Sequence, residues 1–296
     1  MINNNKLKNI LQLVRAPNGI TAVSNILAAT FIATGIASSS TPAVTELMLL
    51  CIASLCLYYA GMALNDCCDY QEDLAERAQR PLPSGAISIR TGWLLTIVLF
   101  ILGLGAALAV SQQSFFVAVL LTALIITYDV FIKNGLLGAF AMGSCRYANW
   151  LLGLSIVSLT LPMLILPLPI FFYIAGLTYL SKQETRAENP RALYVVSILL
   201  VCSLLSLLAL VKILFGFTPV TSVIIFAWIA LIVYRLTRTL KHFNPQEIQT
   251  TVMWMIIGII PFDALMSALA GNHVAAIFIF LLFFPCRYLS KKLYMT

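Results

Sequence analysis

At 296 residues the chain is 61% hydrophobic and only 10% charged, and its mean hydropathy of +0.97 lies far outside the range of soluble domains, whose charged fraction is about a quarter. Repeated apolar runs of membrane-crossing length exclude a soluble enzyme, and their continuous rather than alternating pattern excludes a β-barrel. The net charge of +7 invites a nucleic-acid reading until its placement is examined, and that placement follows membrane topology.

In chain order, the opening segment MINNNKLKNILQLVRAPN has no small-residue cleavage site and carries Lys6, Lys8 and Arg15 just before the first apolar run. It reads as retained and cytoplasmic. Helical spans are predicted over residues 17–37, 42–64, 90–110, 114–130, 136–159, 162–180, 191–215, 219–240, 248–270 and 272–289. With the N-terminus inside, the inner loops hold Arg77, Arg80 and Arg90, then Lys133, then Lys182, Arg186 and Arg191, then Arg235, Arg238 and Lys241, and the tail holds Arg287, Lys291 and Lys292. Of 18 basic residues only Arg146 and Lys212 fall elsewhere, which is the asymmetry that orients a polytopic protein. Ten spans satisfy it; nine do so if the last two segments make one span plus a re-entrant or interfacial piece. Lys212 reads as an outer-interface snorkeller. The seven cysteines are scattered through apolar segments without a CxxC pair and read as small hydrophobes, and no zinc, haem or iron–sulfur spacing appears.

The inner loop after the second span, residues 65–85, reads NDCCDYQEDLAERAQRPLPSG and concentrates the acids Asp66, Asp69, Glu72, Asp73 and Glu76. On a helix, spacings of three and four put Asp66, Asp69 and Asp73 on one face. Hard oxygen ligands without histidine or cysteine suit Mg²⁺, which usually takes one or two carboxylates and completes its shell with water and substrate phosphates. Asn65 adds an amide oxygen, and Arg77 and Arg80 are placed to hold a diphosphate bidentately. Pro81, Pro83 and Gly85 then end the helix and turn the chain. The plainer reading, a solvated loop whose acids neutralise its arginines, is outweighed by the aspartate spacing and by the position at a membrane helix end.

NDxxDxxxD, present as Asn65, Asp66, Asp69 and Asp73, with RPLPSG at 80–85, resembles the first aspartate-rich motif of the UbiA superfamily of intramembrane prenyltransferases. The segments TYDVFIKNGLLG, CRYANWLLG and YLSKQE bring the resemblance closest to the EboC-like branch. The resemblance implies an all-α, polytopic membrane helical bundle of nine or ten transmembrane helices around a central cavity with a cytoplasmic cap, forming one domain over residues 1–296. It further implies that Mg²⁺ bridges the acidic motifs and an isoprenyl diphosphate, and that the allylic cation formed when the diphosphate leaves is captured by a hydrophobic acceptor, aromatic or lipid. Asp66, Asp69, Asp73 and Glu184 would be the catalytic acids and, with Asn65 and Glu188, the metal ligands. Arg77, Arg80, Lys133 and Lys182 would contact the diphosphate, with Tyr128, Tyr147 or Trp150 facing a cation.

The second acidic loop departs from the family pattern. Where paired aspartates are usual, this chain has Lys182, Gln183, Glu184, Arg186 and Glu188; Glu184 and Glu188 keep a spacing of four and can share a helix face. That departure sustains an alternative, a non-catalytic member that binds or moves an isoprenoid-like amphiphile. Arg146 and Asp263 each lie about 13 residues into a span, near mid-membrane at about 1.5 Å per residue. Isolated charges there face a cavity or one another, so the two are expected either to pair or to line the polar floor of the substrate cavity with Asn149. Pro261 would loosen the helix at that depth. The expectation is an integral protein of a bacterial plasma membrane, with termini and active site cytoplasmic, the lipid bilayer and an isoprenyl diphosphate as partners, and no nucleic acid.

Overall fold

In a computed structural model, which describes residues 4–37, 43–184, 187 and 189–292, the described residues form helices and turns without a strand. The expected all-helical bundle is what the chain builds. Nine helical segments among the described residues are long and apolar enough to cross a membrane. A further helix of 20 residues, Gly135–Leu154, carries Arg146 and Asn149 and packs among them, so both numbers in the sequence expectation have a physical basis.

The chain begins with the short helix α1 (Asn4–Leu13) and turns at Arg15, whose backbone is left-handed (φ 46°, ψ 54°). It then enters α2 (Ala16–Ile36), with Pro17 in the first turn, where its missing N–H costs nothing. Next come α3 (Val44–Cys68) and α4 (Tyr70–Glu76), separated only by Asp69. The backbone hydrogen bonds run on through the break, from Asp69 N–H to the Asn65 carbonyl and from Asp73 N–H to the Asp69 carbonyl. Residues 77–88 fold back over α1, burying Leu82 and Ile87 against Leu13 and Cys67, with Gly85 at φ 75°. Ser88 caps α5 (Ile89–Val110) by accepting the Thr91 N–H.

A one-residue turn at Ser111 leads to α6 (Gln112–Ile126), which widens into a π-helical turn at Thr127–Phe131. Then follow α7 (Gly135–Leu154), α8 (Leu168–Ser181), α9 (Ala192–Leu210), α10 (Pro219–Lys241) and α11 (Pro245–Leu269). α11 runs unbroken through Pro261. The segment predicted over 272–289 breaks at Leu282 into α12 (His273–Leu281) and α13 (Phe283–Lys292).

α2, α8 and α11 are the inner staves, while α5, α10 and α12 present apolar flanks outward. α2 packs on α3, α7 and α11, and Gly153 makes the α2–α7 crossing close: a Cβ there would stand 2.7 Å from Ala29 Cβ and 2.9 Å from the Ile26 carbonyl oxygen. Gly153→Ala should therefore destabilise the bundle by about 1–3 kcal/mol, read as a lower melting temperature in detergent. An unchanged melting temperature would mean that α2 and α7 part without cost.

Candidate active site

The first acidic loop forms one end of the bundle, and the structure distributes its aspartates. Asp66 and Asp73, two helical turns apart, are both buried and share the Arg80 guanidinium, whose Nη1 lies 2.7 Å from Asp73 Oδ2 and 3.5 Å from Asp66 Oδ1. Arg77 approaches Asp73 Oδ1 at 3.6 Å, and that buried oxygen accepts no hydrogen bond. Asp69, at the α3–α4 junction, turns the other way and pairs with Lys133 from the turn before α7. Asn65 spends its amide N–H on Asp129 Oδ1 at 2.9 Å.

The sequence expectation of three aspartates on a single metal face is thus corrected. Among the described residues no three His, Cys, Asp or Glu side chains converge to hold an ion, because the helix breaks at Asp69 and neighbouring cations occupy the oxygens. The donor set does not fit a metal caged by protein alone. It does fit Mg²⁺ that brings its own phosphate and water ligands: Asp66 and Asp73 are hard oxygen donors on one face, and Asp73 Oδ1 has an unused lone pair in a buried place.

Arg15 belongs to this group and was read in the sequence only as a topological anchor. Its left-handed turn folds the side chain back so that Nη2 lies 3.3 Å from Asp66 Oδ1 and Nη1 donates to Met62 Sδ. From the second loop, Lys182 stands exposed at the end of α8, within electrostatic reach of Lys133, Asp69, Glu72 and Arg77. Glu184 is half-buried; burial pushes its carboxyl up to about 7, against the pull of Arg77 and Arg15. Glu188 and Arg186 lie outside the described residues, and so does the expected pairing of Glu184 with Glu188.

Beneath this charged end a cavity runs into the bundle between α2, α3, α6 and α7. Met62, Tyr128 and Asp129 line its mouth, and Ser54, Tyr58, Arg146 and Asn149 line its inner part. The mouth is tied to the acidic cluster by the Asn65–Asp129 and Arg15–Met62 contacts. Trp150, named with Tyr128 as a candidate face for a cation, is instead buried away from the cavity lining, donating its indole N–H to Asp263.

Arg146 and Asp263 do not pair directly. Asn25 stands between them, its Oδ1 accepting from Arg146 Nη1 at 2.9 Å and its Nδ2 donating to Asp263 Oδ2 at 2.7 Å. Asp263 is fully buried behind the cavity wall, where Ser24 and Trp150 also donate to it. Of the two, only Arg146 joins Asn149 in lining the floor.

Solved structures with this architecture include a digeranylgeranylglyceryl phosphate synthase (TM-score 0.66, 23% identity, covering 92% of this chain and 99% of that one). They also include UbiA homologues from Aeropyrum pernix K1 (TM-score 0.66, 16% identity, 83% and 97%) and from Archaeoglobus fulgidus bound to GPP and Mg²⁺ (TM-score 0.58, 14% identity, 94% and 99%). At those identities the likeness is one of fold. Among curated proteins, digeranylgeranylglyceryl phosphate synthases are similar in sequence. That of Methanococcoides burtonii is 30% identical over 132 residues, 43% of this chain and 47% of the relative. That of Ignicoccus hospitalis is 29% identical over 178 residues, 54% of each. The chain spans about half the length of the curated relatives it matches. The UbiA prenyltransferase family matches over residues 26–193, a stretch running from the middle of α2 through both acidic loops, and the chain belongs to that family.

Proposed function

We propose that the protein is a Mg²⁺-dependent membrane prenyltransferase that moves an isoprenyl group from its diphosphate to a hydrophobic acceptor, and that residues 1–296 act as one domain. The observation that carries this reading is the junction of two unlike environments: buried Asp66 and Asp73 with Arg15, Arg77 and Arg80 around them and the Asp69–Lys133 pair beside them, next to a cavity that enters the bundle. A diphosphate needs the first and its hydrocarbon chain the second. Bound Mg²⁺ would neutralise charge on the departing diphosphate, with Asp66, Asp73 and, from the second loop, Glu184 or Glu188 as its protein ligands, Asp69 reaching it only on leaving Lys133, and Asn65 as a neighbouring donor. Arg15, Arg77, Arg80, Lys133 and Lys182 supply fixed positive charge to the same group, while the cavity walls keep water from the allylic cation beside Tyr128.

The gathering of lysines and arginines at this end supports a cytoplasmic site. Within the family, the segments TYDVFIKNGLLG and CRYANWLLG support the EboC-like branch, whereas the curated relatives are named for digeranylgeranylglyceryl phosphate synthesis. A geranylgeranyl donor with a geranylgeranylglyceryl phosphate acceptor is therefore the first pair to test, ahead of aromatic acceptors. The altered second loop favours the alternative of a non-catalytic binder. Purified protein incubated with a panel of prenyl diphosphates separates the two. Metal-dependent diphosphate release that falls in both Asp66→Asn and Glu184→Gln supports the enzyme; no release supports the binder, and release unchanged in both counts against an enzyme that works through these acids.

Glu184 gives a pH-dependent test of its own role. Below about pH 7 its carboxyl carries a proton, which a metal ligand must shed. Mg²⁺-dependent binding of inorganic diphosphate should therefore be about tenfold weaker at pH 6 than at pH 8, by titration calorimetry, and Glu184→Gln should flatten the profile. An equally steep profile in the variant would remove Glu184 from the ligand set.

A further inference from the structure

The inner end of the cavity has a chemistry that a prenyl chain does not use. Asn149 is satisfied there: its Oδ1 accepts from Ser54 at 2.6 Å, and its Nδ2 donates to the Ala22 carbonyl at 3.2 Å. Arg146 is not. Of its five N–H donors, Nη1 serves Asn25 and Nη2 serves Thr21 Oγ1 at 3.2 Å, both neutral acceptors. The Tyr58 ring lies against the guanidinium, 5.9 Å from its carbon. Among the described residues no carboxylate forms an ion pair with it. The compensating charge, Asp263, is held one amide away on the far side of the wall, fixed by three donors and closed off from the cavity.

A buried guanidinium this close to a buried carboxylate is ordinarily found paired with it. The interposed Asn25 instead leaves three N–H groups of a membrane-buried cation on a residue that lines the cavity, where an unmet donor is costly. We infer that Arg146 is the specificity-determining residue that binds an acidic group, a carboxylate or a phosphate, on the acceptor; this rests on the prenyl transfer proposed above. The depth suits the task. Tyr58 lies eight residues before Asp66 on α3, about 12 Å along the helix axis. An acceptor anchored by its acid at Arg146 therefore extends its other end toward the mouth, where the diphosphate is held. Asn25 and Thr21 orient the fork, and Asp263 behind them keeps the wall neutral overall without competing for the ligand.

The test uses full-length protein in detergent and probes that pair an acid with a neutral counterpart: benzoate against benzamide, and glycerol 1-phosphate against glycerol, titrated by calorimetry. At least one acid should bind about tenfold to a hundredfold more tightly than its neutral counterpart, the range expected of a charge-assisted hydrogen bond, and the arm that responds identifies carboxylate or phosphate. Arg146→Gln should erase the difference and Arg146→Lys keep part of it; Mg²⁺-dependent binding of geranyl diphosphate is measured beside them on the wild-type protein. Neutral probes that bind wild-type protein as tightly as the acids would overturn the inference. So would discrimination that survives Arg146→Gln. Because the wild-type comparison needs no variant, a misfolded Arg146→Gln leaves the test intact. Acid discrimination without any binding of geranyl diphosphate would uphold the anion site and overturn the prenyl-transfer reading instead.

Discussion

Asp73→Asn should lower Mg²⁺-dependent diphosphate release by about 10²–10³-fold, the cost of removing one preorganised electrostatic group from a developing charge. Asp73 is 1% exposed and touches two cations, Arg80 at 2.7 Å and Arg77 at 3.6 Å, while its Oδ1 accepts no hydrogen bond. An amide has nearly the same shape but carries no charge, and its NH₂ cannot accept from a guanidinium. The substitution thus removes a metal-competent oxygen and the charge, leaving a single amide oxygen where Arg80 and Arg77 now face two carboxylate oxygens. Because the same change disturbs an ion pair, activity must be read beside the melting temperature and the Mg²⁺ dependence. Glu76→Gln is the control: Glu76 is exposed at the end of α4, three residues away, and its loss should change release by less than about twofold, as expected of a weak surface charge. Release by Asp73→Asn at the wild-type Mg²⁺ dependence would remove Asp73 from the site.

Residues of this site differ in how far the sequence alone could reveal them. Asn65, Asp66, Asp69 and Asp73 were legible because charge is rare in this chain and helical spacing orders it. Their division between Arg80 and Lys133 was not, since it depends on the break at Asp69 and on the turn that brings Lys133 alongside. The helices follow directly from apolar run length, and α7 was recognisable although its polar residues lower its hydropathy. Arg15 was hidden because its position before the first span already had a sufficient explanation in topology. Only the left-handed backbone at residue 15 turns it toward Asp66. The link between Arg146 and Asp263 was half legible: matching depth pointed to partners, but nothing in an apolar run marks Asn25 as the group that stands between them. Pro261 does not break α11, which runs on through it and packs on α2, α8 and α12.

Asp263→Ala should destabilise the bundle by about 3–5 kcal/mol, the usual cost of leaving a buried charge without its partner, and lower the melting temperature in detergent by on the order of 10 °C. Asp263 is fully buried and accepts from Ser24 Oγ at 2.5 Å, Asn25 Nδ2 at 2.7 Å and Trp150 Nε1 at 3.2 Å. Truncation therefore strands three donors, from α2 and α7, that have no water to turn to. It also removes the negative charge that balances Arg146 through Asn25. The second effect can be isolated. Asp263→Asn keeps the volume and some of the hydrogen bonds but loses the charge, so most of its cost should come from Arg146, and Arg146→Gln in the same chain should recover part of it. The two single changes would then sum to more than the double, with a coupling of about 0.5–3 kcal/mol, as residues in one hydrogen-bonded network show. Strict additivity would mean that Asn25 separates the two charges without linking them, and that Asp263 serves α2 and α7 alone.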